Sequence, residues 1–377
     1  MDTYVPLRAE REAQASDTEE QCVSLEIWAL LCSIWISIVM TSSPSADPGD
    51  ISAVRLRLLT PQEWASILSG DPREAACWVH AAARHGFKTA QVTWGQMLLD
   101  GRSVGRDPTA AYRWFRRAAE IGSIDGINMV GRCHELGWGV TVNHAEAMRW
   151  YEKAAAKSSD WGQYNLASML LYGEGIERDR AQALQWYMRA AGQGHAKAMG
   201  MVGRFHEEGW EVPPDLALAA QWYRKAAEGD DFWSQYHLAR LLADSRPGEA
   251  LDWLGRAIEG GTDNFLRSAG PDLLNHPYVT FHDAGLRALE RCCRSGEACD
   301  FYAYGRAILN CSRHEEAAAW LGRAARSGHR DARHSLSVFA GRREQPADAS
   351  FAKAIELIRQ LWPKRNLPHG SHEGAGQ

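Results

Sequence analysis

Trp78, Trp114, Trp150, Trp186 and Trp222 stand 36 residues apart. A fixed period of this size marks a stack of supersecondary units, each too small to bury its apolar face without its neighbours. The 377 residues are enough for two or three compact domains, but a recurring unit favours one elongated array whose core grows linearly along the chain.

The same context returns around each periodic Trp. It reads Ala-Ala-Tyr-Arg-Trp-Phe-Arg-Arg-Ala-Ala from Ala110, Ala-Met-Arg-Trp-Tyr-Glu-Lys-Ala-Ala from Ala147, Ala-Leu-Gln-Trp-Tyr-Met-Arg-Ala-Ala from Ala183, and Ala-Ala-Gln-Trp-Tyr-Arg-Lys-Ala-Ala from Ala219. These are amphipathic helices with a bulky knob, assigned here to the indole, and a groove of small residues. A fully buried indole would remove about 200 Å² from water, roughly 5 kcal/mol before ordering entropy is subtracted.

Seven residues before each Trp lies Asp107, Asn143, Asp179 or Asp215, side chains suited to accept the free N–H groups of a first helical turn. Pro108 and Glu146 strengthen that reading. Gly122, Gly194 and Gly229 follow the Ala pairs, where a left-handed C-cap residue is expected. Upstream, Gly95, Gly131, Ala167 and Gly203 mark a second helix whose small residues permit close approach. The turn between the two helices opens at Gly101, Gly137, Gly173 and Gly209 and runs through Val104, Val140, Ile176 and Val212 to the cap. Each unit is therefore helix A, a long turn, then helix B.

This pattern, close to Leu-Gly-x-x-Tyr-x-x-Gly-x-Gly-Val-x-x-Asp over four units from residue 87 to 229, resembles the Sel-one-like repeat family, relatives of tetratricopeptide repeats with a longer inter-helix turn. The resemblance implies an all-α, right-handed superhelical α/α solenoid that serves as a non-catalytic scaffold or adaptor for a protein or peptide partner. It also implies that helix A lines the inner surface. Asn128, Arg132, Glu135, Trp161, Tyr164, Ser168, Arg204, Glu207, Trp233, Tyr236 and Arg240 then become the candidate groove. Aromatic and Arg side chains suit such a groove because they give contact area and directed hydrogen bonds at low entropic cost. Packing between adjacent A helices is the competing reading for the aromatics.

The repeat drifts beyond Gly229. Trp253 and Trp320 close further units, Ala288 begins a segment aligned on the last of them, and the stretch holding Pro271 and Pro277 reads as irregular. On the N-terminal side Trp78 marks a lone helix B paired with a helix near Pro61 to Leu68. The expected organisation is a leading segment 1–60, a main array 61–261, degenerate repeats with a closing helix over 262–362, and a disordered tail 363–377. Three readings stand for the apolar run within 22–40: a true start at Met40, a membrane anchor, or a cleaved signal. The first places the chain in the cytoplasm, and only the second gives it a membrane partner.

Other chemistries find little support. With 42 basic against 47 acidic residues and no basic run, nucleic acid is not an expected partner. Gly101-Arg-Ser103-Val-Gly105 fits a nucleophile elbow, but it sits in an inter-helix turn rather than between a strand and a helix. His134-Glu135 and His206-Glu207 recur 72 residues apart, and their histidines are read as packing residues rather than metal ligands. Cys292, Cys293, Cys299, Cys311 and His314 match no standard zinc spacing, so neither metal nor cofactor is expected. A cysteine-rich branch of the family looks like penicillin-binding or β-lactamase proteins and defines the alternative function. Its members carry a bridging cysteine pair in nearly every unit, whereas here Cys133 stands alone in its unit, and reduced thiols are expected.

Overall fold

The structure, a computed structural model, describes residues 51–173, 175–341 and 357. The apolar run 22–40, the alternative start at Met40, the closing helix expected over Phe351–Trp362 apart from Leu357, and the tail from Pro363 lie outside the described residues. Every regular element among those described is helical. The chain divides into two compact units, one ending at Ser234 and the other beginning at Gln235.

The first unit opens with α1 (Ala53–Leu58), α2 (Pro61–Ser69) and α3 (Pro72–Arg84). Four A/B pairs follow: α4 (Lys88–Asp100) with α5 (Pro108–Glu120), α6 (Ile124–Leu136) with α7 (His144–Ala156), α8 (Asp160–Tyr172) with α9 (Arg180–Gly192), and α10 (Ala196–Glu208) with α11 (Leu216–Glu228). Each of these helices starts 36 residues after its counterpart. A further helix, α12 (Phe232–Leu242), crosses from one unit into the next in sequence.

The turns explain the regularity. Gly101, Gly137, Gly173 and Gly209 end the A helices at φ of 73°, 75°, 69° and 68°, a left-handed conformation that favours glycine. At the far end of each turn Asp107, Asn143, Asp179 and Asp215 accept the N–H of Ala110, Glu146, Gln182 and Leu218 at 2.9, 3.0, 2.8 and 2.9 Å. Their own N–H groups donate back to helix A, at Leu98, His134, Leu170 and His206. One short residue thus starts helix B and clamps it to helix A. In the B-to-A links the left-handed residues are Gly122, Ser158, Gly194 and Asp230. The expectation for Gly229 is corrected: it sits at φ −90°, and Asp230 takes the left-handed position at φ 61°.

Packing also corrects the assignment of the knob. In α3 the indole of Trp78 is itself buried at 2%, whereas in the four B helices α5, α7, α9 and α11 the fully buried ring is the one after the Trp, namely Phe115, Tyr151, Tyr187 and Tyr223, at most 1% exposed. They share a face with Ala111, Ala118 and Ala119 and the corresponding alanines of the later B helices, all buried. Each ring lies against the small residue of its helix A. A methyl group added to Gly95 would fall 2.6 Å from Phe115 Cε1, one on Gly131 would fall 2.6 Å from Tyr151 Cε1, and one on Gly203 would fall 3.0 Å from Tyr223 Cδ1. Gly126 and Gly162 give equally close approach between a B helix and the next A helix, at Ala118 and Ala154. Trp114, Trp150, Trp186 and Trp222 are only half-buried. They flank the core with Arg117, Lys153, Arg189 and Lys225 over their rings at 4.7, 4.2, 4.3 and 4.7 Å. Trp114 also meets His80 of α3 edge-on at 6.1 Å, so it still seals a seam between successive B helices.

The second unit contains the rest of α12, then α13 (Pro247–Gly260), α14 (Asp263–Leu274), α15 (Val279–Cys292), a single 3₁₀ turn, α16 (Ala298–Asn310), α17 (His314–Arg326) and α18 (Arg330–Gly341). The stretch read as irregular is the helix pair α14/α15, with Pro271 inside α14. These two helices cross at glycines, where a methyl on Gly285 would lie 2.8 Å from the Gly270 carbonyl oxygen. Arg267 of α14 forms a two-pronged bond to the buried Asp300 of α16, Nε to Oδ1 at 2.8 Å and Nη2 to Oδ2 at 2.7 Å, and Ser295 Oγ donates to Oδ2 at 2.7 Å. Burial alone would raise the Asp300 carboxyl, but the Arg267 and Ser295 bonds outweigh it and hold the group below its ordinary range.

Candidate functional site

The A helices of the first unit are largely buried by the B helices and by one another, so what they present is narrow. Two repeating polar contacts run along them. Tyr151 donates its hydroxyl to Glu135 Oε2 at 2.6 Å, and Tyr223 donates to Glu207 Oε2 at 2.7 Å. In the intervening pair Tyr187 Oη meets Ser168 Oγ at 2.9 Å instead. The buried tyrosines therefore reach through the A layer and orient groups on its surface.

The structure sorts the candidate residues by burial. Asn128 and Arg132 are buried at 6% and 3% exposure, contrary to a role in direct contact at the surface. Asn128 accepts from Asn165 Nδ2 at 2.9 Å, and Arg132 lies over the Trp138 ring at 4.7 Å. Both tie parts of the array together, and small neighbouring residues leave room for them. Tyr164 and Trp233 are buried in the first unit; Tyr236 is buried in the second, against Phe265 at 6.0 Å. Packing accounts for these aromatics. Glu135, Trp161, Ser168, Arg204 and Glu207 are half-buried, and Arg240, in the second unit, is exposed and stacks on Tyr236 at 5.8 Å.

Around Trp161 the side chains form a small aromatic frame. His195 meets Trp161 edge-on at 4.5 Å and stacks on Tyr164 at 4.9 Å, and Lys197 Nζ lies 5.9 Å from the Trp161 ring centre. His195 and Lys197 were not singled out from the sequence. The signal was available, since Lys197 occupies the slot of Trp161 and Trp233 one repeat away, and His195 the slot of Ser123 and Ser159. Further along the same face Arg204 and Arg180 both lie over Trp210, at 5.3 and 5.0 Å. This arrangement can hold a partner by stacking and directed hydrogen bonds.

The remaining chemical candidates have structural places. Ser103 does adopt a positive φ of 63°, but on an exposed helix-to-helix turn with no strand beneath it. His134 meets Tyr112 edge-on at 5.6 Å and has its pKa lowered, chiefly by burial. His206 is half-buried. Cys133, Cys292 and Cys293 are buried free thiols pushed up to about 12, in each case mainly by desolvation, while Cys299 and Cys311 are exposed free thiols. Among the described residues no helix is long and apolar enough to cross a membrane.

Comparison with known proteins agrees with this geometry. A family model described as Sel1 repeat matches residues 89–123, 124–159, 162–195, 196–231 and 292–329, which coincide with the four regular pairs and with α16/α17. A Sel1 repeat protein from Oxalobacter formigenes shares the fold, with a TM-score of 0.53 and 24% identity over 62% of this chain and 99% of that one. A protective antigen of uropathogenic Escherichia coli with an SLR fold is 23% identical over 80% of this chain and 75% of its own, with a TM-score of 0.47. Chitin synthase regulatory factor 3 of Schizosaccharomyces pombe is 41% identical over 56 residues, which are 15% of this chain and only 6% of that protein.

Proposed function

The chain belongs to the Sel1-like branch of the tetratricopeptide-related helical repeat proteins, generally interaction scaffolds, and we propose that its first unit holds a peptide or helix of a partner protein on the A-helix face. The contact residues would be Glu135, Trp161, Ser168, Arg204 and Glu207, with Arg240 a separate contact on the second unit. The observation that carries this reading is Trp161: a partly open indole held in one orientation by His195 and Tyr164, so little entropy is lost when a partner covers it. Asn128, Arg132 and Tyr164 would act beneath the surface, positioning that face.

The test is a pair of variants, Trp161→Ala and Arg204→Ala, compared with Arg117→Ala on an exposed part of α5. The reading expects unchanged helicity in all three and at least tenfold weaker partner binding only in the first two. Equal binding by all three would refute it. The β-lactamase-like alternative draws no support from the site, where the described cysteines are free thiols. Those free thiols favour a reducing, cytoplasmic setting.

A further inference from the structure

From α6 onward each helix A, and α12 after them, begins at a buried capping residue, and these recur every 36 residues; α4 begins at Phe87 without a side-chain cap. Ser123, Ser159 and Asp231 accept the N–H of Gly126, Gly162 and Ser234 through side-chain oxygen, at 3.2, 3.0 and 3.0 Å. In α10 the same place is held by His195, whose Nδ1 accepts the N–H of Ala198 at 3.1 Å. A ring nitrogen that accepts carries no proton, so the imidazole is neutral with its hydrogen on Nε2. Protonation would put a hydrogen on Nδ1 as well, facing the Ala198 N–H, donor against donor.

The surroundings give an imidazolium no compensation. The ring is 6% exposed, and its Nε2 has no hydrogen-bond partner among the described residues. From α8 it is covered by Trp161 and Tyr164, and Tyr187 of α9 packs on Tyr164. From α10 itself Lys197 adds a like charge. Lys197 interacts in turn with Asp231, at the start of α12, whose own carboxyl is pushed up by burial. Burial first and Lys197 second hold His195 down to about 3, against an ordinary 6.5.

We propose that His195 makes α10 an acid-sensitive element of the array: protonation breaks its N-terminal cap and opens the helix that carries Lys197, Arg204 and Glu207. That acid would also release a partner rests on the scaffold reading above; the opening of α10 does not. The direction follows from linkage. A histidine whose folded pKa is depressed contributes stability that is complete above 6.5 and is lost as pH falls toward 3. At pH 5 the opened form, with an ordinary imidazole, gains about 30-fold in population relative to pH 7.5.

The experiment is amide hydrogen exchange on the full chain at pH 7.5 and 5.0, corrected for intrinsic rates, alongside His195→Ser, which installs the cap used by two equivalent helices. Protection of α10 should fall about 30-fold in the parent and less than threefold in His195→Ser. His195→Asn, another capping residue, provides a second test in case serine weakens the helix at neutral pH. An equal fall in all three, or none in the parent, overturns the proposal. Partner binding at pH 7.5 reports separately on the scaffold reading, so either idea can fail alone.

Discussion

Replacing Trp150 and Tyr151 separately by alanine asks which ring holds the array together. Tyr151 is completely buried, its ring lies in the slot left by Gly131, and its hydroxyl donates to Glu135. Its removal leaves a cavity that the neighbouring alanines cannot fill, about 4 kcal/mol for a buried aromatic. Loss of the donor to a half-buried carboxylate adds about 1 kcal/mol. Trp150 is half-buried, so roughly 100 Å² returns to water on truncation, about 2.5 kcal/mol, and the exposed Lys153 contact adds about 0.5 kcal/mol. Tyr151→Ala should therefore cost about 5 kcal/mol and Trp150→Ala about 3 kcal/mol, with Tyr151→Phe near 1 kcal/mol. Guanidinium unfolding followed by circular dichroism measures all three, and Tyr151→Leu substitutes if the alanine variant fails to fold. A cost for Trp150→Ala equal to or above that for Tyr151→Ala would refute the assignment.

Two further outcomes follow. Arg267→Met strands the 3%-exposed Asp300 beside Ser295 alone and should destabilise the second unit by about 3 kcal/mol at pH 7. Asp300 is held below 3.8 beside Arg267, whereas burial would raise it without that partner. The difference should therefore be full only above the variant's raised Asp300 value and shrink as pH falls from there through the parent's folded value, which acid-dependent melting curves would show. Alkylation of the native protein with mass mapping should label Cys299 and Cys311 within minutes while Cys133, Cys292 and Cys293 stay protected; rapid labelling of Cys292 would contradict its burial.

Periodicity was enough to place the A/B pairs, the capping Asp107, Asn143, Asp179 and Asp215, and the left-handed Gly122 and Gly194, because each depends on local backbone chemistry repeated at one interval; it did not place Asp230 in the slot expected of Gly229. It could not rank Trp150 against Tyr151, since both recur every 36 residues. The arc could: Ala111, Phe115, Ala118 and Ala119 share one face of α5, and Trp114 lies to the side of it. Burial of Arg132 depends on the position of Trp138, set by the next turn, and a single helix pattern reads Arg as surface. Pro271 marked a break by its own preference. The close Gly270–Gly285 crossing overrides that preference once α15 is packed against α14. Within the groove, spacing picked out the aligned row but not its exposure, and it passed over His195 because histidine is an unusual cap.

Partner capture on the A-helix face is tested most directly by photo-crosslinking. A benzoylphenylalanine at Ser168, half-buried beside the Tyr187 hydroxyl, is compared with one at Arg117, exposed on α5. The account predicts a discrete protein adduct from position 168 and none from 117. Adducts from 117 alone would contradict it.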